Sequence, residues 1–295
     1  MTNQDTPQIA FIGFGEAAEA FARGWGKDVA TGLRAFDEKI DDPQAKALPL
    51  SRAQATGVTL CVNRAAALTG ANAVFCLVTA DRAVRAAEES APFLTQGALW
   101  LDGNSCSPGA KRRAAAIIEA AGGRYVDMAI MAPVYPRMHR TPLLIAGPYA
   151  AEALAILSAL GMEAQMSGNG VGEASAIKMV RSVMIKGMEA LTAECLLAAR
   201  RAGIEDRVLA SLQASNPQID WPRQGAYNLE RMMVHGRRRA AEMREVAATL
   251  AELDLPNGLA LATVDWQQRI GDLELPPGED SFHTRADSVL SRLLT

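Results

Sequence analysis

The sequence predicts an α/β protein: a doubly wound parallel sheet over residues 1–167, then an all-helical domain over residues 168–295, joined through one long helix. Three observations carry that expectation. Short apolar runs alternate with helical stretches through the first half, a glycine-rich turn sits between the first run and the first helix, and beyond residue 168 the pattern is helical to the end. A chain of 295 residues is long enough for two cores. Its 49% hydrophobic and 21% charged content is that of a soluble globular protein.

Several function classes drop out early. A net charge of −3 gives no field that would draw nucleic acid or an anionic membrane. No apolar run is long enough to span a bilayer, and the polar start MTNQDTPQ lacks the basic and apolar regions of a signal peptide. Cys61, Cys76, Cys106 and Cys195 include no C-x-x-C pair, and the three histidines lack metal-ligand spacing. Neither a disulfide framework nor a metal is expected, and a reducing cytoplasm fits.

The first element, Gln8–Ile12, reads as a strand, and Glu16–Gly24 reads as a helix with Ala17, Ala20 and Phe21 facing inward. Between them lies G-x-G-x-x-A, the dinucleotide-binding turn of a Rossmann-type sheet. Gly13 turns the chain off the strand, Gly15 leaves room for a pyrophosphate, and Ala18 lets the helix pack close. The turn Gly13-Phe14-Gly15-Glu16-Ala17 is the expected cofactor contact, since a helix start offers free N–H groups and a positive dipole end. The next strand, Gly32–Phe36, ends in Asp37, placed to meet the adenosine ribose hydroxyls and to repel a 2′-phosphate. NAD is therefore favoured over NADP, although Lys39 leaves NADP open.

Residues 58–61, 73–78 and 98–101 read as further strands, with helices near 45–55, 82–90 and 111–121. Ligands in such sheets collect beyond the carboxyl ends of the strands. That directs attention to Val78 and Thr79 after one strand and to Asp102-Gly103-Asn104-Ser105-Cys106-Ser107-Pro108 after another. The amide of Asn104 and the hydroxyl of Ser105 suit hydrogen bonding, whereas Ser107-Pro108 reads as an ordinary helix cap. A strand at 125–128, a loop at 129–141 and a strand at 143–146 follow. The loop carries Tyr135, Arg137, His139 and Arg140; either arginine offers a planar fork for a substrate carboxylate, or both are solvated surface groups.

From Gly168 to Arg200 the chain reads as a glycine-rich turn opening one long helix. Ile177, Val180, Met184, Met188 and Leu191 recur at helical spacing, so a single buried stripe is expected. Lys178, near the glycine turn, is the candidate proton-transfer group, unless it merely lays its stem over the core with its ammonium in water. Lys186 lies ~12 Å further along the helix and cannot serve the same atom. Beyond Arg200, helices are expected at 205–214, 221–234, 239–253, 259–269 and 284–294. His235 reads as a surface residue near a helix end, and the run Arg237–Arg239 as a solvated face or an anion site. A helical unit on one long amphipathic helix is expected to form a homodimer through that unit, with the active site in a cleft between domains.

Three pieces, IAFIGFGEAAEAFA, DGNSCSP and GVGEASAIKMVRS, stand in the order and spacing of the β-hydroxyacid dehydrogenase superfamily, which the chain resembles over nearly its whole length. That superfamily includes 3-hydroxyisobutyrate and phosphogluconate dehydrogenases; RRRAAEMREVAATL resembles its phosphogluconate-dehydrogenase-like branch. The resemblance implies an NAD(P)-dependent oxidoreductase of a small hydroxy acid or related alcohol. Asn104 and Ser105 would touch nicotinamide and substrate, Lys178 would be the general acid/base, and Ser182 would stand in for the family's asparagine one turn later. Met131–Arg137 departs from the family's serine-glycine-glycine substrate loop. Ile185 replaces the glutamate of decarboxylating enzymes, so a non-decarboxylating reaction is implied. A lysine of the family falls near Ala241, with Arg238 or Arg239 as substitutes. The alternatives are an imine or ketone reductase on the same scaffold, or a non-catalytic dinucleotide sensor.

Overall fold

The structure, a computed structural model, describes residues 8–293; the polar start of the chain and the end of the last expected helix lie outside them. By internal contacts the chain divides into one unit up to Met179 and another from Val180 onward. No helix among the described residues is long and apolar enough to cross a membrane.

The first unit holds an eight-stranded sheet of β1 (Ile9–Ile12), β2 (Arg34–Phe36), β3 (Thr59–Leu60), β4 (Ala73–Cys76), β5 (Leu99–Asp102), β6 (Arg124–Ile130), β7 (Leu143–Ala146) and β8 (Ala164–Gly168). The order is β3-β2-β1-β4-β5-β6-β7-β8. Helices α1 (Glu16–Trp25), α2 (Lys27–Ala30), α3 (Ala47–Thr56), α4 (Arg64–Leu68), α5 (Ala83–Ser90), α6 (Pro108–Ala120) and α7 (Ala150–Ala159) connect the strands. The chain winds outward from β1 in both directions, so the strand order reverses between β1 and β4, the place where such sheets bind ligands. β1, β4 and β5 are buried along their whole length, which is why each reads as an unbroken apolar run.

The sheet departs from the expected all-parallel form at one edge. β7 pairs antiparallel with β6, and β8 then pairs parallel with β7, with a register shift at Ile145/Ala146. Four elements, α2, α4, α7 and β8, have no counterpart among the elements expected from sequence. β8 is the half-exposed segment AQMSG, too polar to stand out as a strand.

Between β1 and α1 the core is aromatic. Phe11, Phe14, Phe21, Trp25 and Phe75 form a cluster with ring centroids 5.6 to 6.3 Å apart. Each such pair adds about 0.5–1.5 kcal/mol beyond the area it buries. Two of these rings flank the glycine turn, so the packing that builds the core also fixes that turn.

The long helix α8 (Glu173–Ala202) begins in the first unit and continues into the second. There it is joined by α9 (Glu205–Ser215), α10 (Trp221–Glu252), α11 (Gly258–Asp272) and α12 (Phe282–Leu293). α10 is one continuous helix where two were expected, because Gly236 serves a helix crossing and does not end a helix. A Cβ at Gly236 would lie 2.4 Å from the Gln267 carbonyl oxygen and 2.7 Å from Gly271 Cα on α11.

The stripe of α8 is reversed from the expectation. Ile177, Val180, Met184 and Leu191 are exposed, with Met184 and Leu191 each 66% accessible, and Met188 is only half-buried. The buried face carries Met179, Ser182, Lys186, Glu189, Ala193 and Leu196. Polar groups can occupy that face because α10 and α11 supply their partners. Lys186 Nζ lies 2.9 Å from a Glu242 oxygen, Glu189 accepts from Arg239 at 2.7 Å, and Gln267 donates to Glu189 at 2.8 Å.

Candidate functional site

The glycine turn has the shape that a dinucleotide needs. Gly13 adopts φ +86°, and a Cβ there would stand 2.5 Å from the Leu77 carbonyl oxygen, so no other residue fits. Above Gly15 a Cβ would meet nothing within 4 Å, leaving an open approach to the start of α1. No side chain caps that helix start, so its amides are not taken by a cap. Phe14 turns its ring into the core, Glu16 is exposed and Ala17 is half-buried.

Asp37 ends β2 with both oxygens engaged: Oδ2 accepts from the Phe14 N–H at 2.8 Å and Oδ1 from the Lys39 N–H at 3.0 Å. One carboxylate thus ties the second strand to the glycine turn and keeps lone pairs for further donors. Beside it a shallow pocket is lined by Ile12, Gly13, Phe36, Glu38, Val78 and Arg82. The Arg64 guanidinium covers its Phe36 wall, 4.7 Å from the ring centroid. An uncapped helix start, an open glycine and an acid at the strand end together fit a dinucleotide.

The loop after β5 is stitched to the loop after β4. Asn104 Oδ1 accepts from the Val78 N–H at 2.7 Å, and its amide donates to Asp102 Oδ1 at 2.7 Å and to Cys76 Sγ at 3.3 Å. Asn104 is 3% exposed. The sequence reading set this amide against nicotinamide and substrate; the structure turns it inward, because Asp102 two residues earlier draws its N–H groups into the sheet. Burial, with Asp102 adding to it, pushes the Cys76 thiol above its usual range and keeps it neutral. Thr79 is exposed and Val78 half-buried. Ser107 caps α6 by accepting from the Ala110 N–H at 3.2 Å, with Pro108 in the first turn.

Lys178 and Ser105 do come together. Lys178 Nζ donates to Ser105 Oγ at 2.7 Å, although the two are 73 residues apart in sequence. Both side chains are partly accessible, so the amine and hydroxyl remain within reach of a small molecule. Ser182 makes a different pairing: it is buried and accepts from Lys186 Nζ at 3.1 Å.

The loop after β6 leans on α1. His139 fills the notch above Gly24, where a Cβ would lie 2.1 Å from its Nδ1, and burial lowers its pKa from the usual value. Tyr135 is exposed, and burial raises its pKa somewhat, with Glu19 adding to the effect. Arg137 is exposed and faces Glu163 at 3.6 Å, and Arg140 is exposed. The structure thus brings Tyr135 toward α1 and Arg137 toward an acid. In the second unit, Arg237 pairs with Asp272 and Glu274, each at 2.6 Å, and Arg239 with Glu189, so the basic run is spent on acids. His235 is half-buried; burial first, then Arg231, Arg238 and Arg239, push its pKa down to about 4.

Lys111, Tyr125 and Asp127 were missed from sequence, as was the structural part played by Asp102; all four are buried. Their signal is an ionisable or polar group inside an otherwise apolar strand, or on the small-residue face of a helix, where only a partnered group is tolerated.

Residues 8–167 match the family described as the NAD binding domain of 6-phosphogluconate dehydrogenase, and residues 199–270 match a domain of unknown function, DUF1932. Among solved structures, the chain is 36% identical to a conserved hypothetical protein from Sinorhizobium meliloti, over 98% of this chain and 97% of that one, with a TM-score of 0.74. It is 30% identical to a conserved protein of unknown function whose structure is similar to 3-hydroxyacid dehydrogenases, over 90% of this chain and 96% of that one, with a TM-score of 0.65. A 3-hydroxyisobutyrate dehydrogenase from Mycobacterium tuberculosis, solved with L-serine, is 15% identical over 96% and 98% of the two chains, with a TM-score of 0.71. At that identity the likeness is one of fold.

Proposed function

The chain belongs to the β-hydroxyacid dehydrogenase superfamily, with residues 8–167 as its NAD-binding domain, and from that premise we propose a nicotinamide-dependent oxidoreductase of small hydroxy acids or related alcohols. The observation that carries the reading is the 2.7 Å hydrogen bond from Lys178 Nζ to Ser105 Oγ, at the carboxyl end of the sheet beyond the glycine turn. Bound nicotinamide supplies the hydride acceptor. Lys178 in its neutral form takes the substrate hydroxyl proton at Nζ as the alcohol is oxidised, and its ammonium returns that proton to the carbonyl oxygen in reduction. Ser105 Oγ aims the amine by accepting one of its N–H bonds. Asn104 acts behind them, holding the Val78 and Ser105 loops in register through its buried amide.

The start of α1 and the open space over Gly15 support pyrophosphate binding, and Asp37 with Glu38 beside it supports NAD over NADP. Position 185 is isoleucine, which has no proton to give an enediol, so the reaction stops at the carbonyl acid without decarboxylation. The exposed apolar face of α8 supports a homodimer through the helical unit.

The test is turnover of NAD+ and NADP+ with a panel of 3-hydroxy acids, including 3-hydroxyisobutyrate and L-serine. Lys178→Met should lower kcat by about 10²–10⁴-fold, the range for loss of a general acid/base, while NADH still binds. Undiminished turnover in that variant, or bound cofactor with no turnover on any alcohol or carbonyl, would remove the reading.

A further inference from the structure

Taking an ammonium out of water is costly unless protein groups replace the water, so a sealed lysine has to be explained. Lys111, on α6, has a fully buried side chain. Its Nζ donates to the Asp102 carbonyl oxygen at 2.5 Å, to Asp102 Oδ1 at 3.0 Å and to the Met128 carbonyl oxygen at 3.4 Å. Asp127 Oδ1 stands 3.4 Å away. Burial alone would pull this ammonium toward neutrality; the two acids outweigh it and hold it charged, above its ordinary value.

Two arms leave Lys111. Along the first, Asp102 Oδ1 accepts from the Asn104 N–H at 3.0 Å and from its amide at 2.7 Å, while Oδ2 accepts from the Tyr125 hydroxyl at 2.6 Å. That arm fixes the loop whose next residue is Ser105. Along the second, Asp127 Oδ2 accepts from the Gly172 N–H at 3.1 Å, the Ser175 N–H at 3.0 Å and the Ser175 hydroxyl at 3.1 Å. A carboxylate on β6 therefore caps the start of α8, one turn before Lys178. The arms meet again where Lys178 donates to Ser105, closing a ring that begins and ends at Lys111.

We propose that Lys111 is a positioning residue for the Lys178 amine: by bridging Asp102 and Asp127 it sets the separation between the Ser105 loop and the first turn of α8. The catalytic meaning of the ring rests on Lys178 being the proton-transfer group; its geometric content does not. Replacing a whole buried ion bridge by apolar groups costs little, but removing the ammonium alone leaves Asp102 and Asp127 buried without their cation, so Lys111→Met is read only as folded protein and the Asp127 variants stand beside it.

The experiment compares Lys111→Met, Asp127→Asn and Asp127→Ala with the unaltered protein. Competitive acetylation by acetic anhydride, read by mass spectrometry over a pH series, reports the amine of Lys178 against the exposed Lys27. In Lys111→Met and Asp127→Ala, labelling of Lys178 relative to Lys27 should rise about fivefold or more as the amine leaves Ser105. Asp127→Asn keeps an oxygen for the Gly172 and Ser175 N–H groups but turns an NH2 toward Lys111, so the cap survives while the bridge is lost; labelling should rise there too, and an unchanged rate in that variant overturns the proposal. NADH affinity should hold while kcat falls by about tenfold or more with KM unchanged, since displacing a reacting group by ~1 Å is enough for about a hundredfold. If Lys111→Met does not fold, the asparagine and alanine variants of Asp127 decide. Unchanged Lys178 labelling in a folded Lys111→Met or Asp127→Ala protein overturns the proposal. If the unaltered enzyme turns over nothing, the functional reading fails while the labelling still decides on the ring.

Discussion

Ser105 Oγ and Lys178 Nζ are joined by a 2.7 Å hydrogen bond, so the hydroxyl decides where the amine points. Ser105→Ala removes the acceptor and leaves both backbones in place. We expect kcat to fall by about tenfold, with a smaller change in KM, because about 1.4 kcal/mol of aim is lost in the transition state. Steady-state kinetics with the best acid of the panel checks this, and an effect confined to KM would count against it.

Asp37 holds the Phe14 N–H, and Glu38 next to it lines the pocket beside the glycine turn. Glu38→Gln leaves the Asp37 bonds intact and removes one negative charge from the pocket. The ratio of NADPH to NADH affinity should rise by about 1.4- to fivefold, roughly the worth of one partly screened charge contact, about 0.2–1 kcal/mol. Fluorescence titration with both coenzymes reads the ratio; no movement would place the 2′ position elsewhere.

On α8 the exposed Met184 and Leu191 belong to an apolar face that water covers poorly. Met184→Glu and Leu191→Glu should convert a dimer to a monomer at micromolar concentration, as read by light scattering after gel filtration. A protein that is monomeric before substitution would contradict the homodimer.

Gly236 and Gly271 let α10 and α11 meet backbone to backbone. Alanine is intrinsically better in a helix by ~1 kcal/mol. At Gly236 the new methyl would lie 2.4 Å from a carbonyl oxygen that cannot retreat, so overpacking wins and Gly236→Ala should destabilise by about 1–3 kcal/mol. Gly187, on α8, has nothing within 4 Å of its Cβ position, and Gly187→Ala should stabilise by up to ~1 kcal/mol. Urea midpoints for the two variants should move in opposite directions.

His235 takes its proton near pH 4 in the folded chain, held down by burial and by Arg231, Arg238 and Arg239, with Glu242 pulling the other way. Unfolded, it takes one near pH ~6.5. Between those values the unfolded chain binds more protons, so stability is full above pH ~6.5 and falls as the pH drops toward 4. Because the ring is half-buried, solvent screening reduces the effect. His235→Gln should lose less Tm than the unaltered protein over that interval, as read by thermal unfolding at stepped pH.

The first half of the fold was legible because burial on both faces leaves strands such as Ala73–Cys76 as unbroken apolar runs, and because Gly13 and Gly15 punctuate a turn few other residues allow. That Asp37 and Ser105 stand just past strand ends was legible from the alternation of strands and helices, and that Lys178 stands near the start of a long helix was legible from the glycine turn before it. The direction of β7 was not, since a strand reads alike in either orientation. Nor was the polar interior of α8. Spacing reports which residues share a face and says nothing of which face is covered, and Lys186 and Glu189 are buried only because Glu242, Arg239 and Gln267 arrive from distant sequence. The partners of Asn104 were hidden for a related reason: its amide bonds Asp102, and that pairing is visible only in three dimensions.

The sheet ends in β3, two residues long, at one side and in β8 at the other, where the pairing slips at Ile145/Ala146 and the strand is the polar segment AQMSG. Neither margin offers a straight, apolar row of unpaired amides. Among the described residues, both margins are poor templates for a foreign strand. Edge-to-edge pairing between copies is therefore disfavoured, and the apolar surface open to self-association lies on α8 instead.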